Sequence, residues 1–254
     1  MASKFTIDWH ERFQQQASWT KSVREYLFQR CSLNPFSRVM EIGSGTGAIL
    51  EGLSNQNFAL FGLDINETHL SQAIVNASEA SYIQGDAHYL PFPTNSLDLV
   101  LCHFLLMWVE NPIWVLGEMT RITKPGGNIL AIAEPDYGGR IDFPKELEKM
   151  GSIQTDSLEL QGADPFIGRK LSSLFHKAGL TNIEAGIIGS QWSDSPELNS
   201  WECEISVFES DYLFTSNAFD NSEFERLIVL DKKARQKGDR VLFVPTFYAK
   251  GLVQ

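Results

Sequence analysis

No stretch of this 254-residue chain holds the roughly eighteen consecutive apolar residues that cross a bilayer, so no membrane span is expected. The opening segment MASKFTIDWHERFQQQ has no apolar signal-peptide core. Cysteine is scarce: Cys31, Cys102 and Cys203 are odd in number and far apart, which argues against a disulfide framework. A reducing cytoplasm is the expected compartment. Positive charge is scarce too, with 21 Lys and Arg against 32 Asp and Glu and a net charge of −11. Nucleic acid is therefore not expected as a partner, because phosphate binding draws on Lys and Arg. From Ala178 to Glu225 there is no Lys or Arg at all, against ten acids. No metal is expected. Internal repeats and low-complexity segments are also missing.

What is present is an alternation. Residues 8–33 read as helical, and Asn34-Pro35 ends them. Short apolar strands follow at 37–43, 58–64, 81–86, 97–103 and 128–134, with helical segments between them at 46–56, after Asn66, and at 111–123. Helices continue over 144–162 and 165–179, and a strand over 181–189. Two helices are expected within 190–239, starting at Ser195-Pro196 and near Ser222, before a last strand over 241–253. Such alternation predicts an α/β fold with a mostly parallel, doubly wound sheet covered on both faces. A single domain is expected over 1–254, with its core at 35–189 and 240–254 and a helical cap at 1–34 and 190–239. Ligands in such folds lie beyond the carboxyl ends of the strands, at the switch in strand order.

The segment MEIGSGTG, residues 40–47, falls at that edge. A Walker-type phosphate loop is excluded, since Gly47 is followed by Ala48-Ile49 and not Lys-Ser/Thr. A dinucleotide fingerprint fits on paper through Gly43, Gly45 and Ala48, with acidic Asp64 twenty-one residues after Gly43. Glu41 weighs against it: a carboxylate is awkward beside a pyrophosphate and sensible beside an ammonium and a sulfonium.

Five pieces taken together resemble a family: EIGSGTG (41–47), GLDIN (62–66), GDAHYLPF (85–92), SLDLV (96–100) and KPGG (124–127). Their order and spacing over 37–134 resemble the class I S-adenosylmethionine (SAM) dependent methyltransferases, in the type-11 or ubiquinone-biosynthesis-like small-molecule group. The resemblance implies a Rossmann-like seven-stranded sheet with an antiparallel last strand. It also implies SAM as cofactor and methyl transfer to O or N of a small molecule. Gly43, Gly45 and Gly47 would pass close to the methionine part, and Glu41 would face its cationic end. Asp64 would accept the ribose hydroxyls, Ile65 would pack on the adenine, and Asp86 and Ala87 would bind the adenine edge. His103 would lie near the sulfonium. A nicotinamide-dependent oxidoreductase and a non-catalytic SAM-binding regulatory subunit stand as alternatives.

The acceptor is expected over the ends of the fourth and fifth strands. His103 is the first candidate base there, followed by Asp136 and Tyr137 of AEPDYGGR (133–140). That segment lacks the second proline of the [DN]-P-P-[YF] signature and follows the wrong strand for it. Residues 190–219 hold six aromatics and six acids. An aromatic or amine acceptor is the corresponding expectation, with Trp192, Trp201 and Tyr212 as its contacts.

Overall fold

The computed structural model describes residues 7–189, 198–215 and 221–254. Asp8 caps helix α1 (Trp9–Trp19) by accepting from the N–H groups of His10 and Glu11. The expected single helix over 8–33 is broken into α1 and α2 (Lys21–Gln29) at Thr20, which sits at φ −100°. Its hydroxyl turns back onto the Gln16 and Ala17 carbonyls, offering that turn an alternative to straight helix.

Strands β1 (Arg38–Ile42), β2 (Ala59–Asp64), β3 (Ser81–Gln84), β4 (Leu97–Cys102) and β5 (Thr123–Pro135) alternate with α3 (Ala48–Glu51), α4 (Glu67–Asn76) and α5 (Pro112–Ile122). Asn66 and Asn111 cap α4 and α5 through their side-chain oxygens. Gly52 ends α3 after four residues, so the helix expected over 46–56 is short and continues as a 3₁₀ turn over Ser54–Gln56. Beyond β5 come β6 (Ile141–Phe143), α6 (Glu148–Leu160), α7 (Leu171–Lys177), β7 (Thr181–Ile188), α8 (Leu198–Thr215), α9 (Asn221–Gln236), β8 (Val241–Phe243) and β9 (Thr246–Leu252).

The main sheet has seven strands in the order β3-β2-β1-β4-β5-β9-β7, and β9 runs antiparallel to both neighbours. The strand expected over 241–253 is divided. Its first part pairs with β6 in a separate two-stranded sheet, and Val244-Pro245 then carries the chain into β9. Proline has no N–H for a ladder, so the break falls there.

Strand order reverses between β1 and β4, where the loops that follow diverge and leave a crevice. Apolar clusters fill both faces of the sheet, one around Met40, Ile42 and Val100, the other around Val39, Leu99 and Leu101. A third cluster joins Leu147 and Met150 to Ile205, Phe208, Tyr212, Phe224 and Leu227. Helix α6 therefore packs with α8 and α9 as part of the cap, although the sequence pattern placed it in the core.

Candidate active site

Each strand that ends at the crevice delivers a polar group to it. Glu41, near the end of β1, is only 2% exposed, and its Oε2 has no hydrogen-bond partner among the described residues. Burial pushes its carboxyl well above the usual carboxylate range, and Arg24 from α2 opposes that shift. Ser44, in the glycine loop, also buries its hydroxyl without a partner. Two buried polar atoms, one at the end of β1 and one in the loop that follows, are thus left without a partner among the described residues.

The loop itself is held by Asp64. One carboxylate oxygen accepts from the Gly45 N–H at 2.8 Å and the other from the Asn66 N–H at 2.8 Å. Gly43 and Gly45 sit at φ +72° and +50°, in the left-handed region. A Cβ on Gly43 would lie 2.9 Å from Leu105 Cδ1, and one on Gly45 would lie 2.9 Å from the Phe13 ring.

The loop opens into a cavity of about 1020 Å³. Glu41, Gly43, Gly45, Asp64, Ile65, Asp86, Ala87 and His103 all line it. Gly47 does not; it starts α3 in a left-handed conformation, with Tyr82 Oη close by. Ile65 is 70% exposed, an apolar side chain held out over the opening. Asp86 accepts from the His88 backbone and ring, and this hydrogen bonding holds its carboxyl below its ordinary value. From α1, Trp9, Phe13 and Gln16 close one side of the cavity.

His103 stands at the end of β4 with its ring edge-on to Phe104, at 4.8 Å between centroids. Phe104 has φ +52°, which is strained for a bulky residue, on the wall of the cavity. The Thr20 hydroxyl lies 3.0 Å from His103 Nε2, within hydrogen-bond reach. Burial, with Arg24 nearby, lowers the His103 pKa to about 3. A neutral imidazole this weak in basicity has little capacity to take a proton.

The other two base candidates stand in different surroundings. Asp136 is buried, paired with Arg169, bonded to the Gly138 N–H, and absent from the cavity wall. It anchors the turn after β5. Tyr137 does line the cavity, but burial raises its phenol above the ordinary value, away from phenolate.

Beside Asp136 in sequence, Glu134 is fully buried and accepts from three backbone N–H groups, those of Leu105, Leu106 and Met107. Desolvation raises its pKa to about 7, against the pull of those three donors. It fixes the loop after β4, whose Leu105 and Met107 face the cavity.

The cap contributes differently from expectation. Trp201 donates its indole N–H to Asp231 at 2.7 Å and packs against the cap core. Tyr212 is buried in that core, edge-on to Phe208 and Phe224. Neither lines the cavity, and Trp192 lies outside the described residues. The cap wall is made instead by two helical stripes: Met150, Gln154, Leu158 and Gln161 from α6 and the residue after it, and Glu204, Val207, Phe208 and Asp211 from α8. Below them runs a buried ionic chain. Arg140 and Arg240 share Asp142, Arg240 and Arg235 share Asp231, and Arg235 also holds Glu204. The chain ties β6, α8, α9 and β8 together. A glutamine-bearing apolar face on 144–162 was the one signal in the sequence that could have announced this wall.

Residues 40–131 match the methyltransferase-domain family. The chain is 26% identical over 196 residues to the demethylmenaquinone methyltransferase of Bacillus licheniformis, covering 68% of this chain and 81% of that one. These likenesses support a class I SAM-dependent methyltransferase of the type-11 group. Two solved structures share this fold. Haemonchus contortus phosphoethanolamine N-methyltransferase 2, solved with phosphomonomethylethanolamine and S-adenosylhomocysteine, has a TM-score of 0.59 at 16% identity, over 94% of this chain and 57% of that one. The [4+2]-cyclase SpnF has a TM-score of 0.57 at 13% identity, over 91% and 80%. The fold thus serves more than one chemistry. The family match and the structural neighbours solved with SAM or S-adenosylhomocysteine support SAM as the cofactor in place of a nicotinamide, and an enzyme in place of a regulatory subunit. Among the described residues no helix is long and apolar enough to cross a membrane, and no cluster of His, Cys, Asp and Glu is arranged to hold a metal.

Proposed function

We propose that this methyltransferase moves the SAM methyl group to an oxygen or nitrogen of a small molecule seated between the strand ends and the helical cap. One observation carries the reading: a single cavity is lined at once by the glycine loop with Asp64 and Asp86, and by α6 and α8 of the cap. Cofactor and acceptor would therefore share one space, as direct transfer between them demands. Similar proteins, a demethylmenaquinone methyltransferase and a phosphoethanolamine N-methyltransferase, bear names that agree with a small-molecule acceptor.

SAM supplies, when bound, a methyl group already activated on a sulfonium. The protein's part is then mainly positioning and exclusion of water. In this reading Asp64 accepts the ribose hydroxyls while keeping the Gly45 N–H, and Glu41 receives the cationic end through its open oxygen. Asp86 accepts from the adenine amino group, with Ile65 and Ala87 against the ring. Helix α1 covers the opening.

Asp64→Ala should weaken SAM binding by about 1.5–3 kcal/mol, or roughly 10- to 150-fold, the range for hydrogen bonds to a charged group. Calorimetry returning wild-type affinity would remove Asp64 from the site. Because His103 is neutral throughout the physiological range, the pH–rate profiles of wild type and His103→Gln should have the same shape between pH 5 and 9. An inflection present in wild type and lost in the variant would make His103 the base after all. The function itself is tested by incubating the protein with methyl-labelled SAM and a panel of amines, phenols and carboxylic acids, then identifying the labelled product. Wild-type protein that binds SAM yet labels none of the panel would count against a small-molecule O- or N-acceptor.

A further inference from the structure

The cap wall of the cavity carries one buried carboxylate, Asp211, with no direct ionic partner among the described residues. Glu204 and Asp231 also line this wall, but each is bonded to an arginine, as is Asp142 behind it. Asp211 is 8% exposed, and its direct partners among the described residues are both uncharged. The Gln154 amide donates to Oδ2 at 3.0 Å, and the Ser157 hydroxyl donates to Oδ1 at 2.8 Å. These donors are themselves oriented. Gln154 spends its oxygen on Arg140, so its NH₂ must face Asp211. Ser157 accepts from the Gln161 amide, so its own hydrogen is free for Asp211. The carboxylate is thereby fixed in one position on the wall, with Met150, Leu158, Val207 and Phe208 making an apolar surround. Charged groups held out of water are costly unless paired. Arg140 and Arg12 act on Asp211 only at longer range, and burial still holds its carboxyl above the usual carboxylate range. A cation seated beside it would supply the missing partner.

We propose that Asp211 sets acceptor specificity by binding a protonated amine, the apolar body of the same molecule resting on the α6 and α8 stripes. The inference rests on the acceptor lying under the cap. It names Asp211 as an anchor for an ammonium distinct from the atom that is methylated, since a protonated nitrogen has no electron pair with which to take the methyl group. Three probes of one shape isolate the charge: phenethylamine, 2-phenylethanol and 3-phenylpropionate. Each is titrated by calorimetry into the full-length protein saturated with S-adenosylhomocysteine. Phenethylamine should bind at least tenfold more tightly than the alcohol, and the carboxylate most weakly. Asp211→Asn should cut phenethylamine affinity at least tenfold and leave the alcohol and S-adenosylhomocysteine within twofold. With acceptors from the labelled-SAM panel that carry an amine besides the methylated atom, the same variant should raise KM and change kcat little. No phenethylamine binding at millimolar concentration, no preference among the probes, or an Asp211→Asn protein that keeps the preference would each overturn the proposal. The wild-type series decides by itself if the variant does not fold. Loss of S-adenosylhomocysteine binding in wild type would instead strike at the proposed function, so the two failures are distinct.

Discussion

Glu134→Ala should lower the stability of the folded protein by about 3 kcal/mol or more. One buried carboxylate accepts from the Leu105, Leu106 and Met107 N–H groups, and alanine leaves all three without an acceptor. Each buried donor left open costs about 1–3 kcal/mol. For a protein of this size that corresponds to a fall in Tm of roughly 6–12 °C. The effect should depend on pH with a definite sign. The folded-state pKa of Glu134, about 7, lies above the ordinary 4.5, so the folded state binds the proton more tightly than the unfolded chain. The stability that this contributes is fully present below pH 4.5 and is lost as pH rises toward 7. The difference between wild type and Glu134→Ala should accordingly be larger at pH 5 than at pH 8. Thermal unfolding at the two values checks both parts. Equal Tm values for the two proteins at pH 5 would show that the loop after β4 is held by something else.

Glu134 also marks where the sequence stopped being readable. That the glycine loop, Asp64 and Asp86 would meet at one cavity was legible because their placement depends on local order: a strand, a turn and a carboxylate at a fixed offset. The strand alternation was legible for the same reason, since a parallel sheet buried on both faces leaves short apolar runs. Glu134 stood in the quoted AEPDYGGR segment, yet its importance comes from three N–H groups nearly thirty residues earlier, which no spacing reveals. Asp136, in the same segment, is paired with Arg169, thirty-three residues on, and does not line the cavity, a placement that no local spacing reveals. The cap aromatics misled for another reason. Tyr212 is amphipathic, and a helix packed on two neighbours buries such a residue in its own core as readily as it offers it to a ligand. The polar end of the acceptor wall joins Gln154 and Asp211, fifty-seven positions apart, and becomes visible only once α6 and α8 are packed.

Gly45→Val should abolish measurable binding of S-adenosylhomocysteine while leaving the sheet folded. Two independent costs combine at this position. The backbone sits at φ +50°, which strains any residue with a Cβ by about 1–2 kcal/mol and a β-branched one more. The new Cβ would also meet the Phe13 ring at 2.9 Å, forcing α1 outward or the loop inward. Movement of the loop breaks the Gly45 N–H bond to Asp64, and Asp64 then loses the placement on which the proposed ribose contact depends. The two costs can be separated. Gly45→Ala keeps the backbone strain with a smaller side chain and should bind about tenfold to a hundredfold more weakly than wild type. Adding Phe13→Ala to Gly45→Ala removes the steric part, so the double variant should recover affinity relative to Gly45→Ala alone. If Phe13 is a cover that the bound cofactor needs, the double variant binds more weakly still, and the sign of the coupling tells which role prevails. Wild-type affinity in Gly45→Val would mean that the ligand does not approach this loop, and the assignment of the cavity as the cofactor site would fall with it.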